Sequence, residues 1–287
     1  MGYVFDFKDA QAFERWFEEP RYRLEAEREN ALMIDMLQPA RGETILEIGC
    51  GTGTSLVPLV EMGLNATGID ASPYMLDVSF KKLGNRVSLY RGSAEDLPFD
   101  DNSFNHAFFM TTLEFVDDPG KALEEACRVA KDRVFLGVLN RYAIKGIQRR
   151  VAGIFYETIF NHARFFGIWE LKRLIRSIAG QVPLTWRTVN QFPTGCGRFV
   201  QNFEQSRFMQ RCPFGTFVGM VITLVPVFRT RPLAIRHQDE TVHRHGDRLM
   251  PGTASVYTAH EHETRTASDA LNLCSPAQDN GHGSLPV

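Results

Sequence analysis

The residues best suited to chemistry in this chain are a set of closely spaced glycines and the carboxylates on either side of them. Three glycines occupy alternate positions after a short apolar run, Gly49, Gly51 and Gly53. Glycine adopts positive φ readily and lets a ligand approach the backbone where a Cβ would clash. The run 45–48 reads as a buried strand, and 55–62 can form a helix. Strand, glycine turn and helix N-terminus together predict the floor of a nucleotide-type cofactor site.

A second carboxylate supports that interpretation. Asp70 ends the next predicted strand, about twenty residues after the turn, where its two oxygens can accept hydrogen bonds from both hydroxyls of a ribose. A solvated aspartate at a strand end is the alternative. Nicotinamide and flavin enzymes also use a Gly-x-Gly turn, but the nicotinamide fingerprint needs a third glycine where this chain has Thr54. A nicotinamide-dependent oxidoreductase is therefore disfavoured.

The elements that must position these residues alternate between strand and helix, which is typical of a parallel sheet covered on both faces. The predicted strands are 44–49, 65–70, 86–92, 105–111 and 133–139, and the helices between them are 54–62, 72–83 and 119–130. Ser72-Pro73 and Asp118-Pro119 each place an N-cap before a proline at the first helical position. Residues 6–37 read as helices broken near Pro20, with Phe13, Trp16 and Phe17 on one face. We expect these aromatic side chains to serve in packing rather than to form a lid over a ligand. A helix over 168–179 and strand-like runs at 183–191 and 217–228, an antiparallel pair, complete the pattern.

Charge is distributed unevenly along the chain, although the formal net charge is only −2. Residues 1–140 carry 14 lysines and arginines against 24 aspartates and glutamates, whereas residues 141–237 carry 15 against 3. The basic segment could attract anionic substrates, phospholipid or nucleic acid, or it could dock onto the acidic half. Within it, 141–166 reads as an inserted basic amphipathic cap over a pocket or against a membrane surface.

Composition bounds the remaining possibilities. The five cysteines are scattered without a CxxC pair, which predicts reduced thiols and a cytoplasmic protein. No secretory signal is expected, and the longest apolar run falls short of the about 18 residues needed to span a bilayer. The segment 237–287 has low hydrophobicity and no periodicity, so we expect a disordered tail after a folded domain of residues 1–236. Histidine pairs in that tail lack an ordered scaffold, and no metal site is predicted.

With Glu47 added, the glycine spacing resembles the first motif of class I S-adenosylmethionine-dependent methyltransferases. Further landmarks of that family follow in the right order, at 68–72, 72–76, 92–99, 103–105 and 118–129. The resemblance covers about residues 40–140 and is nearest in pattern to small-molecule and quinone-type methyltransferases. It implies an α/β fold with a doubly wound, mostly parallel, seven-stranded Rossmann-like sheet, an inserted helical cap, and S-adenosylmethionine as cofactor.

The resemblance also assigns roles to individual residues. The cofactor-binding set that it implies is Glu47, Gly49, Cys50, Gly51, Gly53, Asp70, Ala71, Met75, Ser93, Ala94, Glu95 and Thr111. Within that set the turn backbone should hold the methionine part, with Glu47 near its ammonium. Asp70 should hold the ribose, and Ala71 and Met75 should flank the adenine. Two departures stand out, since relatives often have aspartate where this chain has Ser93 and Asn105.

The acceptor side is less defined. Residues 111–115 should lie beside the methyl group, which makes Glu114 a candidate base, although a structural carboxylate is favoured. Tyr142 and His162 are candidates to line the substrate pocket, and no catalytic residue is assigned. The stretch 111–114 lacks the motif of amino-methylating nucleic acid enzymes. We therefore expect methyl transfer to a small molecule, hydrophobic or anionic; the alternative is a non-catalytic cofactor-binding protein of the same fold.

Overall fold

A seven-stranded sheet forms the centre of the computed structural model, which describes residues 2–143, 163–192 and 206–224. The strands are β1 (Thr44–Ile48), β2 (Asn65–Asp70), β3 (Ser88–Arg91), β4 (Phe104–Met110), β5 (Ala130–Leu139), β6 (Leu184–Val189) and β7 (Phe217–Thr223). Their order across the sheet is β3-β2-β1-β4-β5-β7-β6. The first five are parallel, and β7 runs antiparallel between β5 and β6. The predicted mostly parallel sheet with a final antiparallel pair is confirmed.

The helices cover both faces of this sheet. They are α1 (Phe7–Glu18), α2 (Pro20–Leu37), α3 (Leu56–Glu61), α4 (Pro73–Leu83), α5 (Pro119–Val129) and α6 (Ile168–Ala179). Successive side chains of a strand point to opposite faces, so Phe108 packs with α2, α3 and α4, whereas Ala107 and Phe109 pack with α5 and α6. The two apolar clusters on either side of the sheet form the core.

Side-chain caps fix where two of the helices begin. The Ser72 hydroxyl accepts a hydrogen bond from Met75 N at 3.3 Å, and Asp118 Oδ1 accepts from Gly120 N and Lys121 N at 2.9 and 3.1 Å. Both caps satisfy donors that the helix itself leaves unpaired. Since α4 and α5 are the next helices after β2 and β4, these caps also fix the ends of the loops at the carboxyl edge of the sheet.

The carboxyl edge is where a ligand site belongs in this topology. The chain crosses from one side of the sheet to the other between β1 and β4, and a crevice opens at such a switch point beyond the strand ends. Residues 144–162 of the predicted cap, with His162, and the predicted tail 237–287 lie outside the described residues. In the part of the chain that is described, no helix combines the length and apolar character needed to cross a membrane.

Candidate functional site

The glycine turn follows β1 and is tied to the neighbouring strand by backbone hydrogen bonds. Gly49 N and Cys50 N both donate to Ile69 O, at 2.7 and 3.0 Å. All three glycines have positive φ, at 73°, 50° and 71° for Gly49, Gly51 and Gly53. This left-handed conformation is costly for residues with a Cβ. The alternating glycines therefore allow the chain to reverse direction within a few residues of the strand end.

Asp70 binds the turn through backbone amides. One carboxylate oxygen, Oδ2, accepts from Gly51 N at 2.8 Å, and the other, Oδ1, accepts from Ser72 N at 2.8 Å. Burial raises the pKa of Asp70 above its ordinary value, and these amide donors oppose that rise. The aspartate thus joins the glycine turn to the N-terminus of α4, and each oxygen retains acceptor capacity for a further donor.

Glu47 is a buried carboxylate beneath the turn, with only 1% of its surface exposed. The Ser55 hydroxyl hydrogen-bonds to its side chain. Among the described residues, Oε2 of Glu47 has no hydrogen-bond partner. Burial raises the pKa of Glu47 well above its usual range. An unpaired buried carboxylate is costly, so this side chain favours a ligand that brings a donor or a positive charge.

The opposite wall comes from the end of β4. Thr111 adopts a positive φ of 53°, an uncommon conformation for a β-branched residue. Its amide donates to Gly137 O at 2.8 Å, while the Thr112 hydroxyl donates to Gly49 O at 3.2 Å. A Cβ on Gly49 would lie 2.1 Å from Thr112 Cγ2. Gly49 therefore allows the β4 loop to pack directly on the glycine turn.

A cavity of about 1240 Å³ lies between these elements. Of the twelve residues that the sequence assigns to the cofactor, eleven line it: Glu47, Gly49, Cys50, Gly51, Asp70, Ala71, Met75, Ser93, Ala94, Glu95 and Thr111. Gly51 faces open space, since a Cβ there would meet no atom within 4 Å. The structure therefore gathers the predicted set around one cavity, while the binding role of each residue stays a prediction.

Gly53 is the exception. It does not line the cavity, and a Cβ on it would lie 2.4 Å from Ser79 Oγ and 2.7 Å from Leu83 Cδ1. Both neighbours belong to α4. Gly53 is thus required for packing between the turn and that helix. The sequence interpretation expected Gly53 at the cofactor site, but the structure does not place it at the cavity.

An N-terminal strap, residues 2–5, forms a further wall that sequence reasoning missed. Tyr3 N donates to Phe115 O at 2.9 Å, and the Ser72 hydroxyl donates to Phe5 O at 2.6 Å, so the strap links the loops after β4 and β2. The rings of Tyr3, Phe5 and Phe115 pack against one another. The alternation of two aromatic residues, Tyr3 and Phe5, was the only sequence signal for this wall.

Helices α1 and α2 close the same side. Phe13, Trp16 and Phe17 pack against one another in tilted and edge-on contacts and also line the cavity. The sequence favoured simple packing for these aromatics, and the structure shows that they pack together and also face the cavity. Lys82 Nζ contacts Glu14 Oε1 and Thr54 Oγ1, each at 3.0 Å, which fastens α1 to the glycine turn.

The candidate acceptor-side residues Glu114 and Tyr142 do not line the cavity. Glu114 is buried and its Oε1 accepts from Leu139 N at 2.6 Å, which is the structural role that the sequence favoured. Tyr142 is 55% exposed. Asn105, one of the two departures from the family pattern, bonds Thr44 and Asp132 at the start of β4. It lies at the amino edge of the sheet, away from the cavity, so only Ser93 is a departure within the site.

Comparison with known proteins agrees with this geometry. Residues 46–136 match the family model described as "Methyltransferase domain". This part of the chain is a class I S-adenosylmethionine-dependent methyltransferase domain. An uncharacterized methyltransferase of Mycobacterium tuberculosis is 39% identical over 106 residues, which are 37% of this chain and 43% of that protein. A demethylmenaquinone methyltransferase of Clavibacter sepedonicus is 40% identical over 95 residues, 32% of this chain and 39% of its own length.

A solved structure is similar over more of the chain. It is a Thermotoga maritima S-adenosylmethionine-dependent methyltransferase described as a possible histamine N-methyltransferase, with 27% identity and a TM-score of 0.58. The alignment covers 76% of this chain and 96% of that one. The matches to the Mycobacterium and Clavibacter relatives, by contrast, span only about two fifths of those proteins.

The residues of the methyltransferase cavity fit S-adenosylmethionine. The cofactor carries an ammonium group, for which the unpaired, buried Oε2 of Glu47 is a suitable acceptor. Its ribose hydroxyls suit the remaining acceptor capacity of Asp70. The open space beside Gly51 lets a ligand reach the turn backbone. Each of these features belongs to residues that the sequence alone had selected.

Proposed function

We propose that this chain transfers the methyl group of S-adenosylmethionine to a hydrophobic small molecule. The observation that carries the proposal is the continuity of one cavity, which runs from the glycine turn to a wall of aromatic side chains on the strap and α1. The glycine turn suits the cofactor, as the family implies. The aromatic wall offers a surface for an apolar acceptor.

At the cofactor end, we assign the turn backbone at Gly49, Cys50 and Gly51 to the methionine part and Glu47 to its ammonium. Asp70 holds the ribose. Ala71 and Met75 flank the adenine, beside the loop 93–95. The loop is braced because Glu95 Oε1 accepts from Asp117 N at 3.0 Å, and the Ser93 hydroxyl donates to the other oxygen of Glu95. The Ser93 oxygen also accepts from Glu95 N at 3.3 Å, which leaves it one acceptor site for a donor on the base.

Charge over the whole cavity, in which Glu47 and Asp70 are assigned to the cofactor, favours a neutral or cationic acceptor over an anionic one. The described residues that line the cavity include eight carboxylates and three cationic side chains. Aromatic faces from Phe13, Trp16, Phe17 and Phe115 add apolar area and can contact a cation. The names of two relatives support different acceptor classes, demethylmenaquinone in one case and histamine, an amine, in the other.

S-adenosylmethionine supplies a methyl group that its sulfonium already activates, so the protein need not provide a strong catalyst. The tasks of this chain are to align the acceptor behind the methyl group and to exclude water. The strap and α1 suit the second task, because they cover the cavity and are fastened by Tyr3, Ser72 and Lys82. Thr111 and Thr112, at the end of β4, suit the first.

The test is transfer of labelled methyl from S-adenosylmethionine into an acceptor panel of a prenylated quinol, a simple phenol, an aromatic amine and an aromatic carboxylate. We expect label in the neutral or amine acceptors and little in the carboxylate. Asp70→Ala serves as the control, and transfer should fall strongly at a cofactor concentration that just saturates the parent. Tight binding of S-adenosylhomocysteine without labelling of the panel or of a cell extract would instead favour a non-catalytic cofactor-binding protein.

A further inference from the structure

A second groove lies at the amino edge of the sheet, the edge opposite the methyltransferase cavity. Its volume is about 500 Å³. Side chains from α2, the starts of β5 and β6, the end of β7 and the segment 206–212 line it. Since β5 and β6 are parallel and β7 runs the other way, those strand ends meet at one edge. We call it the arginine groove.

Four guanidinium groups line the arginine groove, from Arg133, Arg187, Arg207 and Arg211. The acidic side chain among the groove's lining residues is Asp35, which pairs with Arg187. Four positive charges around a small volume repel one another, and an anion between them relieves that repulsion. Three of these arginines, Arg187, Arg207 and Arg211, belong to the basic segment 141–237. The methyl-transfer site offers no role for the charge of that segment.

Two of the arginines are held in place by the fold. Arg133 Nη1 donates to Leu37 O at 2.5 Å, at the C-terminus of α2, and Arg187 is held by Asp35. Arg207 and Arg211 are exposed and lie four positions apart around a short 3₁₀ turn, Met209–Arg211. The groove therefore has a fixed inner pair and an outer pair that a ligand can reach.

We propose that the arginine groove binds the phosphate group of an anionic ligand. Arginine presents a planar fork of donors that matches phosphate oxygens in pairs, which makes it the residue suited to this task. Because the groove and the methyltransferase cavity lie at opposite edges of the sheet, the proposal stands independently of methyl transfer. The phosphate can belong to a soluble molecule or to a phospholipid headgroup, and one experiment separates these sources.

The experiment measures binding of inorganic pyrophosphate by calorimetry and of vesicles by co-sedimentation. The vesicles are phosphatidylcholine with or without phosphatidylglycerol. The test variant is R207Q/R211Q, and the matched control K81Q/R173Q removes two exposed cationic side chains that do not line the groove. S-adenosylhomocysteine affinity, measured on all three proteins, reports whether the methyltransferase cavity is intact.

We expect pyrophosphate to bind the parent chain, to weaken with added salt, and to lose about tenfold or more in affinity in R207Q/R211Q, while the control and S-adenosylhomocysteine affinity stay unchanged. Binding only to phosphatidylglycerol vesicles, again lost in R207Q/R211Q, supports a lipid headgroup as the source of the phosphate. Binding to neither probe, or equal binding by R207Q/R211Q and the parent, overturns the proposal.

Discussion

Asp70 combines two tasks at the level of a single residue, because the same carboxylate orders the turn and faces the cavity. Asp70→Ala removes acceptors for Gly51 N, for Ser72 N and, in our proposal, for the ribose. Hydrogen bonds to a charged group contribute about 1.5–3 kcal/mol each. We therefore expect the affinity for S-adenosylhomocysteine to fall at least about tenfold, as measured by calorimetry.

The matched control is Asp96→Ala, which removes an exposed aspartate from the loop after β3. The Asp96 side chain does not line the cavity. It should leave the affinity within about twofold of the parent, a change of under half a kcal/mol. Thermal melts on both variants separate loss of ligand contacts from loss of the turn. An unchanged affinity in Asp70→Ala would remove Asp70 from the site.

The glycines of the turn have different tasks, and alanine substitutions should distinguish them. Gly51→Ala and Gly53→Ala both place a Cβ on a residue with positive φ, which costs about 1–2 kcal/mol in each. Only Gly53→Ala also drives a Cβ against Ser79 and Leu83. Overpacking costs about 1–3 kcal/mol, so Gly53→Ala should melt at the lower temperature.

The two variants should reverse their order in binding. In Gly51→Ala the Cβ occupies space that we assign to the cofactor, so S-adenosylhomocysteine affinity should fall further than in Gly53→Ala. The measurements are thermal melts and calorimetry on both proteins. If Gly51→Ala binds as the parent does, the cofactor does not approach that part of the turn. The spacing of the glycines predicted the turn, but it could not show that Gly53 packs against α4, because that contact joins residues distant in sequence.

The N-terminal strap acts at the scale of an element. It is held by backbone and hydroxyl hydrogen bonds and by ring contacts with Phe115, whereas the buried residues of both core clusters all follow α1 in the sequence. Deleting residues 2–5 should therefore leave the melting temperature nearly unchanged while S-adenosylhomocysteine dissociates several-fold faster. Stopped-flow displacement measures that rate.

The control for the strap is Phe7→Ala, which truncates an exposed ring just after it that does not line the cavity. Its dissociation rate should match the parent. An equal rate in the deletion variant would mean that the strap does not retain the cofactor. A large loss of melting temperature in the deletion would mean that the strap contributes to the core.

Glu114 joins the loop after β4 to the end of β5 through Leu139 N. Burial raises the pKa of Glu114 to about 8, above its ordinary value of 4.5. Between those values the folded protein holds a proton that the unfolded chain has released, so raising the pH through this window lowers stability. The slope reaches at most about 1.4 kcal/mol per pH unit for one group.

Glu114→Gln removes this titration and keeps an oxygen that can accept from Leu139 N. The free energy of unfolding, measured with denaturant from pH 5 to pH 8.5, should fall more steeply with pH in the parent than in the variant. Over that range the folded and unfolded states differ by about one bound proton at this residue. Other buried carboxylates titrate in both proteins and cancel in the comparison. Identical slopes would show that Glu114 stays ionised in the fold.

Much of the element order followed from the sequence because each signal was local. The caps Ser72 and Asp118 fixed the starts of α4 and α5, and the alternation of strand-like and helical patterns marked the parallel strands, which are four to ten residues long. For the strap the sequence offered only the alternation of Tyr3 and Phe5. Its position depends on hydrogen bonds from Tyr3 to Phe115 and from Ser72 to Phe5, contacts that periodicity does not encode. Periodicity likewise did not predict that the aromatic side chains of α1 line the cavity.

At the scale of the whole molecule, the sheet separates two ligand environments. The carboxyl edge carries the methyltransferase cavity with its excess of carboxylates, and the amino edge carries the arginine groove. The carboxylates that line the cavity all come from residues 1–140, and three arginines of the basic segment 141–237 line the groove. Sequence alone left open whether the basic segment docks on the acidic half. Only the strand order shows that Arg187, Arg207 and Arg211 lie at the edge of the sheet opposite the glycine turn.

The segment 237–287 has low hydrophobicity and no periodicity, which leads to a prediction for the whole chain. Among the described residues, the two core clusters extend from Leu32 to Ile222, and the edge strand β6 is already paired by β7. Deleting residues 238–287 should therefore leave the melting temperature within a few degrees of the parent, since about 1 kcal/mol corresponds to 2–4 °C in a domain of this size. S-adenosylhomocysteine affinity should also be unchanged.

A matched truncation at residue 216 removes β7, which pairs with both β5 and β6, and should abolish cooperative melting. If deletion of 238–287 lowered the melting temperature as the truncation does, the C-terminal segment would be part of the folded domain.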